Sequence, residues 1–320
     1  MPQLFAGVDL GGTSIDAVIA DSSGGVLGAD RRPTPRRRTT DQVPIAIAAS
    51  VHAAVAASRC DPTHVRAVGI GCPGMVDRDA GTLGHAATLS EWPESFPLAD
   101  TVQRHVQRPV IVDNDVRLTV SAEIEAGCGE RFRSFLGVYL GTGVGAGLVV
   151  DGQLWHGRGN AGEFGHTVVK YDGRLCTCGR HGCVEAYCGR AAMERTAREM
   201  AQDGRSTALF DLMEYSDSDR ITSRVWARAM AARDPLAVEL IEDAQEALGA
   251  GLASAVNLID VDGIVLGGGL PRRLGEPFRA AVDGAMERRT MASASPPIVL
   301  SRLSDFGGAV GAALLAREAV

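Results

Sequence analysis

The segment FAGVDLGGTSIDAVIADSS, residues 5–23, contains two short apolar runs separated by a pair of glycines. Residues 5–10 predict a buried strand, residues 11–14 a tight turn and residues 15–20 a second strand. A dinucleotide-binding fingerprint requires a helix directly after its glycine turn. The strand–turn–strand order therefore argues against a Rossmann domain and indicates a β-hairpin.

The same pattern returns in VYLGTGVGAGLVVDG, residues 138–152. Leu10 corresponds to Leu140, Gly11 to Gly141 and Asp21 to Asp151, and the apolar pairs of the second strands also coincide. Two copies of one strand–turn–strand unit predict two similarly built domains that face each other. A chance similarity between two glycine-rich hairpins is the alternative.

The glycine turns offer backbone N–H groups and a hydroxyl, and such turns hold phosphate oxygens. A third glycine run, residues 267–269, follows a predicted strand at 263–266. We therefore expect a nucleotide to bind at these three segments. The candidate residues are Gly11, Gly12, Thr13, Thr142, Gly143, Gly267, Gly268 and Gly269. Asp9, at the end of the first strand, either holds Mg²⁺ through water or caps the turn.

A polar triplet, Asp113-Asn114-Asp115, stands between a predicted strand at 110–112 and a predicted helix at 116–126. The end of a strand in an α/β sheet is a common position for site residues. Asp115 is the candidate general base for transfer of a phosphoryl group to an alcohol. Asn114 suits a polyhydroxy substrate, Asp113 is an alternative base, and a simple helix N-cap is the structural alternative.

Four potential metal ligands lie in and before the segment CTCGRHGCVE, residues 176–185. They are His166, Cys176, Cys178 and Cys183, and three thiolates with one imidazole predict a closed, structural Zn²⁺ site. Ordinary core cysteines are the alternative, and a redox pair is disfavoured because only one residue separates the first two cysteines. Glu163 and Glu185 flank the ligands and suit the hydroxyls of a sugar.

The composition restricts the class of protein. The chain has 320 residues and a net charge of −7, which disfavours a general nucleic-acid surface. The arginines at 31, 32, 36, 37 and 38 are interpreted as an exposed loop. The sequence shows no signal-type leader and no apolar run long enough for a membrane span. With its odd number of cysteines, it is expected to be cytoplasmic.

These motifs, together with Cys72-Pro73-Gly74, resemble those of the ROK family (repressors, open reading frames, kinases), in the family's order and over nearly the whole chain. The resemblance implies an α/β, actin-like and ribonuclease-H-like ATPase fold, with two domains and a central cleft. It implies a small N-terminal domain at 1–118, on which a C-terminal helix at 307–320 packs, and a large domain at 119–306 with the zinc loop.

The resemblance also implies ATP with Mg²⁺, Asp115 as the base, and a sugar site. The residues expected to contact the sugar are Gly74, Asn114, Asp115, Glu163, His166 and Glu185. ROK repressors carry a DNA-binding helix-turn-helix ahead of this core, and here the first strand starts by residue 4, which favours the kinase branch. Ser14 stands where many relatives have lysine.

The sequence thus predicts an ATP-dependent hexose kinase that phosphorylates the 6-hydroxyl of glucose or a close relative. Amino sugars are the alternative substrates: N-acetylglucosamine, N-acetylmannosamine or kanosamine. A sugar-sensing protein without turnover is an alternative from another class, and four protein ligands disfavour a zinc hydrolase. The expected partners are the sugar, ATP and a second copy of the chain in a homodimer, with a tetramer as the alternative.

Overall fold

The computed structural model describes residues 3–35, 39–84, 92–93, 95–216, 219–291, 294–303 and 306–320. The chain forms two compact units. Unit 1 comprises Met1–Glu130 together with Arg302–Val320, and unit 2 comprises Arg131–Ser301. Unit 1 is therefore built from two separate parts of the chain.

The strands of the described residues are β1 Leu4–Leu10, β2 Ser14–Asp21, β3 Val26–Pro33, β4 Val65–Cys72, β5 Val76–Asp77, β6 Thr82–Leu83, β7 Val110–Asn114, β8 Phe135–Leu140, β9 Val144–Val150, β10 Gln153–Trp155, β11 Gly263–Gly268 and β12 Ile298–Leu300. The α-helices are α1 Gln42–Ser58, α2 Leu98–Val106, α3 Asp115–Ala126, α4 Glu185–Cys188, α5 Arg190–Gln202, α6 Leu209–Tyr215, α7 Ser223–Ala231, α8 Pro235–Ile259, α9 Gly269–Glu287 and α10 Gly307–Ala316.

The main sheet of unit 1 has the strand order β3-β2-β1-β4-β7. The first three strands are antiparallel neighbours, and β4 and β7 continue the sheet parallel to β1. Because side chains alternate along a strand, Leu4, Ala6 and Val8 enter a core shared with α1 and α2. Phe5, between them, packs with α10 on the opposite face.

Unit 2 repeats this design with the order β10-β9-β8-β11-β12. The hairpin β8–β9 is again antiparallel, β10 extends it, and β11 and β12 run parallel to β8. The shared strand order agrees with the internal repeat that the two glycine hairpins indicate. The apolar core of unit 2 includes the long helix α8 and the fully buried Trp226 of α7.

Two details differ from the sequence-based expectation. The prediction of an exposed loop is wrong for Arg31 and Arg32, which lie in β3 and pair with Asp16 and Asp30. Strand β3 was not predicted because its charged side chains interrupt the apolar pattern. The other three arginines of that cluster, residues 36–38, lie outside the described residues.

The boundary between the units falls after Glu130, whereas the family resemblance implied a boundary after residue 118. Helix α3 stays with unit 1 because it packs closely on α10. A Cβ at Gly311 of α10 would collide with the carbonyl oxygen of Leu118 in α3. Among the described helices, none combines the length and the apolar character that a membrane crossing requires.

Candidate active site

The first glycine turn, between β1 and β2, is held by hydrogen bonds on both sides. Within the turn, the Gly11 N–H donates to the Ser14 carbonyl at 2.8 Å. From the end of β3, the Thr34 hydroxyl donates to the Gly11 carbonyl at 2.7 Å and the Thr34 N–H to the Thr13 carbonyl at 3.0 Å. The Gly11 amide is thus engaged, and the amides of Gly12 and Thr13 are the donors that suit an anion.

Asp9 precedes this turn at the end of β1, where the parallel register places Gly71 of β4 beside it and Asp113 of β7 one strand further. Burial raises the pKa of Asp9 to about 8, with smaller contributions from the negative charges of Asp115 and Asp16. A carboxyl group held against α10, where a Cβ at Gly308 would press on it, is costly to ionise. A nearby cation would reverse that preference.

The two aspartates of the polar triplet have different surroundings. Asp113 is 1% exposed and forms ion pairs with Arg117 (3.3 Å) and Arg78 (3.8 Å). Asp115 is only partly buried, and its Oδ1 accepts from the N–H of Val116 at 2.9 Å. Burial raises the pKa of Asp115, against the opposing effect of that N–H. Asp113 is committed to the arginines, so Asp115 is the better proton acceptor.

Asn114, between them, is the N-cap of α3. Its side-chain oxygen accepts from the N–H groups of Val116 and Arg117, both at 3.1 Å. The capping role considered from the sequence is therefore present. The oxygen is used in the cap, and the amide NH₂ is the group suited to contact a ligand. Gly74, at φ +94° just beyond β4, adopts a backbone conformation that favours glycine.

The second glycine turn, between β8 and β9, is anchored to α4 and α5. The Gly141 N–H donates to the Gly143 carbonyl at 2.9 Å, and the Gly141 carbonyl accepts from Arg190 Nε at 3.0 Å. The N–H of Val144, at the end of the turn, donates to Glu185 Oε2 at 2.9 Å. As in the first turn, the first glycine is bonded internally, and the amides of Thr142 and Gly143 are the ones suited to an anion.

Packing alone accounts for part of the third glycine run. A Cβ at Gly267 would collide with the ring of Tyr139, and one at Gly268 with the backbone of Leu140, both in β8. Gly268 also has φ +98° and begins the entry into α9. The nucleotide role of these glycines stays a prediction, because close strand packing requires two of them in any case.

The four proposed metal ligands meet in one cluster. The Nδ1 or Nε2 atom of His166 and the Sγ atoms of Cys176, Cys178 and Cys183 lie within 4.8 Å of one another. Cys178 Sγ is 3.8 Å from Cys183 Sγ, and Cys176 Sγ is 3.7 Å from His166 Nδ1. Tetrahedral zinc with Zn–S bonds of about 2.3 Å gives ligand–ligand edges of about 3.8 Å. The geometry therefore fits the predicted zinc site.

The loop that carries these ligands is also fixed by the protein. Isolated bridges join Val168 to Cys183 and Leu175 to His181, and Arg174 forms an ion pair with Asp243 of α8 at 2.5 Å. The second nitrogen of His166, Nε2, lies 3.8 Å from a carboxylate oxygen of Glu163. At 3.8 Å the two groups are too far apart for a direct hydrogen bond.

Two residues that contact candidate site residues were not predicted from the sequence. Arg78 follows β5, pairs with Asp113 and also contacts Glu318 near the C-terminus. Thr177, between two ligand cysteines, donates its hydroxyl to Glu185 Oε1 at 2.8 Å. The ion pair between Arg117 and Asp113 could have been predicted, because a spacing of four residues suits such a pair.

Comparison with known proteins shows which family the chain resembles. The ROK family model matches residues 5–319. A glucokinase of Streptomyces coelicolor is 34% identical, with 98% of each chain covered. An N-acetyl-D-glucosamine kinase of Pectobacterium atrosepticum is 30% identical, again with 98% of each covered.

A solved structure shows the same relationship. The ROK family glucokinase from Streptomyces griseus, in complex with glucose and AMPPNP, superposes with a TM-score of 0.84 at 34% identity, covering 98% of this chain and 99% of the other. This agreement confirms the predicted actin-like ATPase fold. The chain belongs to the ROK family.

Proposed function

We propose that the chain is an ATP-dependent hexose kinase that phosphorylates the 6-hydroxyl of glucose. The chain is a sugar kinase, since it matches a glucokinase, an N-acetyl-D-glucosamine kinase and a solved ROK family glucokinase over nearly the full length of each. Glucose is favoured as the acceptor because a glucokinase is the more similar of these two sequence relatives. The observation that carries the mechanism is the division of roles between Asp113 and Asp115.

Asp115 accepts the proton of the reacting hydroxyl. Its raised pKa brings a carboxylate closer to the pH of the cell, where a general base is most effective. Asp113, paired with its two arginines, holds the junction between β7 and α3. The Asn114 amide NH₂ donates to a sugar hydroxyl, while its oxygen keeps the start of α3 in place.

The phosphates of ATP are held by backbone N–H groups of the two glycine turns. The amides of Gly12, Thr13, Thr142 and Gly143 are the proposed donors, and Gly267, Gly268 and Gly269 are proposed to complete the nucleotide site. Mg²⁺, when bound, neutralises phosphate charge. Asp9 is the residue proposed to hold it through water, and the cation would favour the ionised form of this carboxyl group.

The proposed role of zinc is structural. His166, Cys176, Cys178 and Cys183 supply four protein ligands, which leaves no open coordination position for chemistry. The ordered loop holds Glu163 and Glu185, which with His166 and Gly74 are proposed to contact the sugar. A cytoplasmic location and a homodimer stay predictions from the sequence.

A coupled assay of ADP release tests the proposal. The acceptor panel is glucose, mannose, N-acetylglucosamine, N-acetylmannosamine and kanosamine, and glucose is expected to give the highest kcat/KM. A higher value with an amino sugar would favour the alternative suggested by the N-acetyl-D-glucosamine kinase relative. Binding of a sugar without ADP release from any member would favour a sugar-sensing protein.

A further inference from the structure

Glu185 is the first residue of α4, and each of its carboxylate oxygens accepts a hydrogen bond from a different segment while retaining a lone pair for a further donor such as a sugar hydroxyl. Oε2 accepts from the backbone N–H of Val144, at the end of the second glycine turn, at 2.9 Å. Oε1 accepts from the hydroxyl of Thr177, in the metal loop, at 2.8 Å. One carboxylate therefore bridges the metal loop and the glycine turn.

The carboxylate lies tightly against the turn. A Cβ at Gly143 would collide with Glu185 Oε2, and one at Gly189 would lie 3.1 Å from Glu185 Cγ. The N–H of Gly189 in turn donates to the Glu185 carbonyl at 2.9 Å. The glycines at 143 and 189 thus leave the space that Glu185 fills, and a displaced carboxylate would disturb the turn.

Thr177 is positioned by its two neighbours. Cys176 and Cys178 both belong to the metal cluster, so a bound metal fixes the backbone on each side of Thr177. Thr177 itself is exposed and is not part of the hydrophobic core. Its hydroxyl has a charged acceptor, and hydrogen bonds to charged groups are the stronger class.

We propose that Thr177 is a positioning residue that couples the metal loop to the second glycine turn through Glu185. An ordered loop presents the Thr177 hydroxyl to Oε1, which leaves Oε2 aimed at the Val144 N–H. Oε1 also lies 3.7 Å from the Cys176 Sγ atom, and a metal that binds this sulfur as a thiolate leaves the Thr177 hydroxyl as the donor to Oε1. Loss of the hydroxyl therefore removes an anchor of the carboxylate, and loss of the metal releases the loop that positions this hydroxyl. The turn then loosens although none of its own residues has changed.

Hydrogen exchange measured by mass spectrometry tests this coupling without reference to catalysis. The variants are Thr177→Val, which removes the hydroxyl, and Thr177→Ser, which keeps it. Thr196→Val is the matched control, because that hydroxyl donates to the Ala192 carbonyl within α5, away from Glu185. Each protein is first checked for zinc content and thermal unfolding.

Thr177→Val is expected to exchange faster in a peptide covering residues 141–146, and wild-type protein stripped of metal should show the same change. Thr177→Ser and Thr196→Val should exchange like the wild type. Equal exchange in Thr177→Val and wild type would overturn the proposal. So would loss of zinc from Thr177→Val, because the hydroxyl would then support the metal site and not the turn.

A second measurement rests on the proposed function, in which this turn binds phosphate. Titration calorimetry with AMPPNP should show about tenfold weaker binding to Thr177→Val, the change expected when a hydrogen bond to a charged group is lost. Thr177→Ser should restore the affinity, and kcat at saturating ATP should fall less than KM for ATP rises. If the wild type bound no nucleotide, the proposed function would fail, while the exchange data would still decide the coupling.

Discussion

Two aspartates one residue apart, Asp113 and Asp115, show how far a side chain's role depends on its partners. Both stand at the junction of β7 and α3, and the motif alone left either of them as the base. The structure separates them because the guanidinium groups of Arg78 and Arg117 form ion pairs with Asp113, whereas the Asp115 carboxylate accepts from the N–H of Val116. Arg78 is distant in sequence, so spacing within the motif could not have revealed this pair.

Asparagine substitutions should therefore affect different properties at the two positions: turnover at Asp115 and folding stability at Asp113. Asp115→Asn is expected to lower kcat by about 10²–10⁴-fold, the usual contribution of a general base, with little change in stability. Asp113→Asn is expected to cost roughly 3 kcal/mol of unfolding free energy, because it removes the charge of an almost fully buried carboxylate that forms ion pairs with Arg117 and Arg78. Urea denaturation and steady-state kinetics measure the two effects. Comparable kcat losses without a stability difference would contradict the assignment.

In the absence of Mg²⁺, Asp9 should make the folding stability of the protein depend on pH. Its pKa rises from 3.8 to about 8 on folding, so the folded state keeps a proton that the unfolded state releases. The contribution of the Asp9 carboxyl group to the free energy of unfolding is fully present below about pH 4 and is lost progressively as the pH rises to about 8. Asp9→Asn, which cannot ionise, should gain stability relative to the wild type across that interval. Thermal unfolding of both proteins from pH 5 to pH 9 checks this, and parallel curves would contradict it.

The same substitution should impair nucleotide use. In the proposed mechanism Asp9 holds Mg²⁺ through water, so Asp9→Asn should raise KM for MgATP although the apoprotein becomes more stable. Functional groups are often retained at the expense of stability in this way.

At the scale of elements, the strands with continuous apolar sequence were predictable, whereas the charged β3 and the short β5, β6 and β10 were not. β1, β2, β8, β9 and β11 follow from their apolar runs and glycine turns. β3 was missed because its outer position in the sheet permits exposed charged side chains. The helices α2, α4, α6 and α9 were also not predicted, and proline and glycine interrupt the helical pattern of α9.

Glycines at the contact between sheet and helix fix how closely α10 approaches the main sheet of unit 1. A Cβ at Gly7 of β1 would collide with the Ala309 carbonyl, and one at Gly69 of β4 with the Ala312 carbonyl. Backbone atoms cannot rotate away as side chains can, so Gly7→Ala should cost about 1–3 kcal/mol or more, as overpacked cores do. Chemical denaturation gives the value.

Gly284→Ala is the control for that experiment. Gly284 lies within α9, and an added Cβ would meet only the tip of Arg288 at 3.7 Å. The same chemical change should therefore raise stability there by up to about 1 kcal/mol, the helix propensity difference between glycine and alanine. A similar loss in both variants would show that close approach to α10 is not the cause.

At the scale of the whole molecule, the internal repeat and the family motifs predicted the architecture and most of the site. They could not give the boundary at Glu130, which depends on the contact of α3 with α10. Nor could they give the link from Thr177 to Glu185, because a threonine between two cysteines has no partner that local sequence identifies.

Metal removal should affect the two units unequally. The ligand cluster lies in unit 2, so a chelator or Cys178→Ser is expected to lower the unfolding temperature of that unit and leave unit 1 near its original value. Cys60→Ser, in unit 1, is the control and should leave zinc content unchanged. Scanning calorimetry with metal analysis checks this. A chelator that removed no zinc from the purified protein, or no shift on its removal, would argue against a structural metal.

The discontinuity of unit 1 has a consequence for biosynthesis. α10, all of whose residues are buried, leaves the ribosome after every part of unit 2 has been made. Until then, one face of the β1–β4–β7 sheet lacks its covering helix, while the continuous unit 2 can already complete its core. The N-terminal part of unit 1 therefore exposes its apolar strand surface for the longest time during synthesis. Chaperones are expected to bind the nascent chain there.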